Sequence, residues 1–189
     1  MPFEYQFEEV YRPAEDTYLL LREALQEARP QDIAIEIGCG SALISSELTA
    51  RVTSLLATDI NPHAVRAAKE DGVNVVRADL FCGIKGRFDL VIFNPPYLPT
   101  QEDERTGGWI DCALDGGPSG RYTIDRFLEQ LGQHLTTRGR ALLLVSDLAG
   151  LEEVKEKASK EGLEVREIAS EGCFFERLHV VRIEAAKEK

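Results

Sequence analysis

Asp32-Ile33-Ala34-Ile35-Glu36-Ile37-Gly38-Cys39-Gly40-Ser41-Ala42 is the stretch on which the fold turns. Ile33, Ile35 and Ile37 alternate as in a short buried strand over residues 32–37. Gly38 and Gly40 then permit a tight turn and close approach of a ligand to the backbone. A helix is expected over 41–50. Upstream, residues 13–28 read as a helix: Pro13 suits its first turn, Glu15 and Asp16 its positive end, and Leu20, Leu21, Ala24, Leu25 and Ala28 form one apolar stripe. Downstream, 52–58 is strand-like, Asn61 and Pro62 open a helix, and Gly72 closes it. Residues 73–77 and 88–93 are strands, the second apolar almost throughout, as a strand covered on both faces should be. A Gly-, Pro- and charge-rich stretch runs from Leu98 to Gly120. Then come a helix over 121–135, a strand over 141–146, and a helix over 151–161 ended by Gly162. Two last strands, 163–169 and 174–183, meet at a turn with Glu171 and Gly172. Such alternation implies one α/β domain over residues 1–189: a mostly parallel sheet, helices on both faces, and one antiparallel strand near an edge. Residues 1–9 read as an extension and 185–189 as a tail.

Composition narrows the function. The 189 residues are 43% apolar and 29% charged, ordinary for a globular domain. Asp and Glu number 33 against 22 Lys and Arg, a net charge of −11. That balance argues against a nonspecific nucleic-acid binder. Cys39, Cys82, Cys112 and Cys173 lie 43, 30 and 61 residues apart, which is no paired metal-ligand spacing, so no metal is expected. A reducing, cytoplasmic setting follows from that cysteine usage. The N-terminus lacks a signal pattern, and no apolar run is long enough for a bilayer.

Four motifs sit at successive strand ends, where open α/β sheets bind ligands. Glu36 precedes Gly38-Cys39-Gly40. A carboxylate there repels a pyrophosphate but suits a cation, which favours S-adenosylmethionine over a dinucleotide. Cys39 reads as a small packing residue, and Ala42 departs from a glycine-rich loop. Asp59 lies 21 residues after Gly38, the distance at which an acid holds a ribose diol. Asp79, at the third strand end, offers an acceptor to an adenine amino group. Asn94-Pro95-Pro96-Tyr97 follows the buried strand. Its prolines remove two donors and fix the backbone, leaving acceptors and one flat ring to hold an amino or amide nitrogen.

Together these residues resemble class I S-adenosylmethionine-dependent methyltransferases. More narrowly, the chain resembles the HemK-like release-factor glutamine methyltransferases of the archaeal and eukaryotic branch. Residues 10–17, Val-Tyr-Arg-Pro-Ala-Glu-Asp-Thr, and 113–121, Ala-Leu-Asp-Gly-Gly-Pro-Ser-Gly-Arg, carry that narrowing. The resemblance implies a seven-stranded Rossmann-like sheet. It implies cofactor contacts at Thr17, Glu36, Gly38, Gly40, Asp59, Asp79, Leu80 and Asn94, with Asn94, Pro95, Pro96 and Tyr97 at the catalytic centre. The implied substrate is the glutamine of a Gly-Gly-Gln motif in a class 1 release factor. An adenine amino group or a lysine are alternative acceptors for such a pocket, and a cofactor-binding scaffold without catalysis is the rival class. The branch also works with a small zinc-binding activator protein. An apolar edge strand over 73–77, with Val73, Val75 and Val76, is the expected place for it to pair. The segment from Leu98 to Gly120, with the sole tryptophan, Trp109, is expected to be mobile and to meet the substrate.

Overall fold

A computed structural model describes residues 9–105 and 107–187. Residues 1–8 of the expected extension and the last two tail residues lie outside it. Helix α1 (Glu15–Glu27) leads into β1 (Ile33–Ile37), α2 (Leu43–Leu48), β2 (Ser54–Asp59), α3 (Pro62–Glu70), β3 (Val75–Arg77) and β4 (Phe88–Phe93). Then follow α4 (Trp109–Leu114), α5 (Tyr122–His134), β5 (Leu135–Ser146), α6 (Leu151–Lys160), β6 (Leu163–Gly172) and β7 (Arg177–Ala185). The seven strands run β3-β2-β1-β4-β5-β7-β6, and β7 alone opposes its neighbours. The switch of direction between β1 and β4 opens a crevice at the carboxyl ends of these strands, as in other doubly wound sheets.

The period-2 pattern of the strands splits the core. Ile35, Ile37, Val91 and Phe93 turn to one face, where α5 and α6 bring Ile124, Phe127, Leu131 and Val154. Ala34, Leu90 and Ile92 turn to the other, against Leu20 and Ala24 of α1 and Ile44 and Leu48 of α2. At the amino ends of the strands the Arg140 side chain is fully buried. Its guanidinium donates to Asp32 Oδ2 at 2.8 Å, to Glu27 Oε2 at 3.1 Å and to the Asp89 carbonyl at 2.8 Å. Burial of a charge is tolerated only with partners of this kind.

The structure differs from the sequence expectation at four places. β3 has three residues, and Val73 lies before it. Val73 and Val75 both turn into the core, so only Val76, 39% exposed, presents an apolar side chain outward. β5 begins at Leu135 rather than 141: Leu135 pairs with Phe88, and a break in register between Phe88 and Leu90 accommodates the polar residues before Arg140, with Gly139 close to the Phe88 carbonyl where a Cβ would come within 2.6 Å. The last turn falls at residues 173–176: Glu171 and Gly172 are still paired, with Leu178 and Arg177. Finally, the segment after Tyr97 is tied back to the strand end. Leu98 N–H donates to the Leu114 carbonyl at 3.0 Å, and Gly116 N–H to the Leu98 carbonyl at 2.9 Å. Its helix α4 is short and lacks an apolar period, which is why the sequence showed only a loop.

Candidate active site

The carboxyl ends of the parallel strands surround a cavity of about 550 Å3. Every site residue expected from the sequence lines it: Thr17, Glu36, Gly38, Gly40, Asp59, Asp79 and Leu80 around one part, and Asn94, Pro95, Pro96 and Tyr97 around another. That size lies within the range of small-molecule sites, about 300–1,000 Å3.

The glycine turn has the backbone its residue types allow. Gly38 has φ +63° and Gly40 φ +51°; an added Cβ at Gly38 would touch the Phe93 ring at 3.4 Å. Ala42 takes the same left-handed region at φ +58° without being glycine, and is wholly buried. Cys39 is buried against the α1–α2 face, a packing position. Asp59 braces the turn: Oδ2 accepts from Gly40 N–H and Oδ1 from Asn61 N–H, both at 2.8 Å. A third backbone bond, from Ile60, leaves the carboxylate room for one further donor such as a hydroxyl. Burial raises the Asp59 carboxyl against these backbone bonds. Glu36 is more deeply held. Ser45 of α2 donates to its carboxylate, yet burial outweighs that bond and pushes the group up to about 8. A buried acid of this kind awaits a cation.

Asp79 has a partner that the sequence did not mark. Its Oδ2 accepts from Arg126 Nη2 of α5 at 2.6 Å, and the Arg126 guanidinium lies 5.6 Å over the Tyr122 ring. The carboxylate expected to meet an adenine amino group is thus shared with a cation. Beside it, Leu80 has φ +50°, a conformation costly for a leucine and typical of sites where the backbone meets a ligand.

At the other part of the cavity, Asn94 Nδ2 donates to Asp16 Oδ2 at 2.9 Å, and Tyr11 donates its hydroxyl to the same oxygen at 3.0 Å. Asp16 Oδ1 accepts from Thr17 N–H at 2.6 Å and from Thr17 Oγ1 at 3.2 Å. A carboxylate only accepts, so it fixes which end of the Asn94 amide faces it. Asn94 Oδ1 is consequently buried with no hydrogen-bond partner among the described residues. Such an atom calls for a donor from a ligand. Burial raises the phenols of Tyr11 and Tyr97, so both stay protonated near neutral pH. Sequence reasoning assigned no site role to Asp16, Tyr11, Arg126 or Glu176. Residues 10–17 carried a signal for the first two. Glu176 arrives from the far β6–β7 hairpin, where no motif marked it.

Trp109 also lines the cavity, with the Arg77 guanidinium 5.6 Å over its ring and its backbone N–H donating to Glu9 Oε2 at 3.1 Å. It thus pins α4 toward the β3 edge. No group of His, Cys, Asp and Glu that could hold a metal occurs among the described residues, and no described helix is long and apolar enough to cross a membrane.

A sheet of this order, with a crevice lined by acids at strand ends, defines a class I methyltransferase. The family model "Methyltransferase small domain" matches residues 15–109. A Methanocaldococcus jannaschii protein named for N5-glutamine methyltransfer is 39% identical over 180 residues, covering 92% of this chain and 90% of its own. Mouse methyltransferase HEMK2 is 34% identical over 193 residues, covering 93% and 90%. Among solved structures, the Encephalitozoon cuniculi (E. cuniculi) Mtq2–Trm112 complex responsible for methylation of the termination factor eRF1 superposes with a TM-score of 0.78 at 31% identity, covering 94% of this chain and 99% of that one. The chain belongs to the HemK-like methyltransferases, in the archaeal and eukaryotic branch of release-factor glutamine methyltransferases.

Proposed function

We infer that this protein transfers a methyl group from S-adenosylmethionine to the side-chain amide nitrogen of a glutamine in a class 1 translation release factor. The observation that carries the reading is the buried, unpartnered Asn94 Oδ1 in the cavity wall, held by Asp16 and followed by two prolines. The residues fit the cofactor. Glu36 suits an ammonium, and Asp59 retains room for a ribose hydroxyl. The positive φ at Gly38 and Gly40 brings backbone close to a ligand. When bound there, S-adenosylmethionine supplies an electrophilic methyl.

An amide nitrogen is a weak nucleophile, so the protein works by placement. Asn94 Oδ1 accepts one amide N–H, and carbonyls of the proline-locked segment accept the other. These acceptors strengthen as the nitrogen gains positive charge during transfer. Tyr11 and Tyr97 are protonated and take no proton, so the proton leaves to water. The E. cuniculi complex supports a small activator partner, and we assign it to the β3 edge. The zinc implied by the resemblance belongs to that partner. Here Ala57 N–H donates to the Asn74 carbonyl and Ala78 N–H to the Asp59 carbonyl. By alternation, the backbone groups of Val75 and Arg77 face outward.

Labelled S-adenosylmethionine offered with the release factor, a histone and DNA decides the acceptor. Label is expected in the release factor, and lost when its acceptor glutamine becomes alanine. Label in the histone or DNA instead overturns the assignment.

A further inference from the structure

Phe174 and Phe175 stand 98% and 92% exposed, far beyond the other large apolar residues described. They are the two central residues of the turn between β6 and β7, closed by Cys173 N–H donating to the Glu176 carbonyl at 2.8 Å. Turns favour Gly, Asn, Asp, Ser and Pro, so nothing in the backbone asks for two phenylalanines here. Their rings contact each other at 5.8 Å and add nothing to the core. Exposed aromatic pairs of this kind mark protein interfaces.

Their position names the partner. Glu176, the next residue, lines the catalytic cavity, its carboxylate accepting from Ser146 at the end of β5. The tip is therefore one residue, about 3.8 Å along the chain, from the cavity wall. A cavity of about 550 Å3 takes the cofactor and a side chain, so the body of a protein substrate must rest on its rim. β6 is also the sheet edge opposite β3, so an activator at β3 leaves the tip free.

We propose that Phe174 and Phe175 form a docking prong for the protein substrate, inserting into an apolar socket beside its acceptor loop. Glu171 near the tip is paired with Arg22 at 3.4 Å, so the prong relies on its two rings rather than on charge. This rests on the release-factor reading above.

The test compares the wild-type chain, co-purified with its activator, with a Phe174→Ser/Phe175→Ser variant. Steady-state methylation of the release factor and calorimetric S-adenosylmethionine affinity are both measured. The variant is expected to raise KM for the release factor by about tenfold or more, the scale of losing aromatic anchors, with kcat within about twofold. Cofactor affinity stays unchanged. An unchanged KM overturns the prong. So does a fall in kcat alone, which would mean that the tip shapes the cavity. If wild-type chain binds the cofactor but leaves the release factor unmethylated, the substrate reading itself fails and the prong fails with it.

Discussion

Asp16 is the residue that gives Asn94 its direction. Asn94→Ala should cut turnover in the methylation assay by about a hundredfold or more, the scale of losing a preorganised contact. Asp16→Asn offers the Asn94 amide a donor as well as an acceptor, so its orientation is no longer fixed. Turnover is expected to fall roughly ten- to hundredfold, in line with losing a hydrogen bond to a charged group. Asp59→Ala acts on the other part of the cavity, weakening S-adenosylmethionine by about the same factor in calorimetry. Glu36 makes the protein sensitive to pH. Folded, it keeps its proton up to about 8; unfolded, it loses it near its usual 4.5. Between those values the native chain binds more protons, so the stabilisation from this group is full below about 4.5. It is lost as pH rises through about 8. A cation against the carboxylate reverses the preference. Cofactor binding at pH 7 should thus release a proton, seen as a buffer-dependent binding enthalpy that Glu36→Gln abolishes. Asp59 and Glu36 were visible in the sequence because strand-end acids sit at fixed distances from the glycine turn. Asp16 was read there only as a helix-start acid, since its partner Asn94 lies 78 residues away.

The catalytic segment owes its shape to the element that follows it. Gly120, at φ +70°, lies against the Tyr97 carbonyl, where a Cβ would come within 2.5 Å, and a Cβ on Gly116 would come within 2.7 Å of the Gly120 backbone. Gly120→Ala should destabilise the fold by about 1–3 kcal/mol in denaturant titration and lower turnover, because backbone rather than a side chain must move. Strands 33–37 and 88–93 were legible because buried strands write continuous or alternating apolar runs. Helix α4 was not, because six residues held by hydrogen bonds to Leu98 and a cation over Trp109 need no apolar stripe. The β3 edge was half legible: its place followed from the fold, but of the valines that made it read as an apolar edge, Val73 and Val75 face the core. Its pairing capacity lies in the backbone. Val75→Pro removes an outward donor and should abolish co-elution of the activator. Arg77→Pro removes another donor and should do the same, while also freeing the Trp109 ring from its cation.

Across the whole molecule the sheet divides its labour by end. Carboxyl ends carry the cavity, the two edges carry the surfaces assigned to activator and substrate, and the amino ends carry the buried Arg140 cluster. Helix α1 joins the two ends. It starts beside Asp16 and finishes at Glu27, whose carboxylate takes both Arg140 and Arg182. Thirteen helical residues make a rod about 20 Å long. Leu20 and Ala24 hold its middle against the core, so a shift released at Glu27 reaches Asp16 by moving the helix as one rigid body. Arg140→Met should accordingly slow methyl transfer as well as lower the melting temperature, although position 140 touches no part of the cavity. The ion cluster at the base of the sheet anchors one end of the helix whose other end, through Asp16, holds the Asn94 amide.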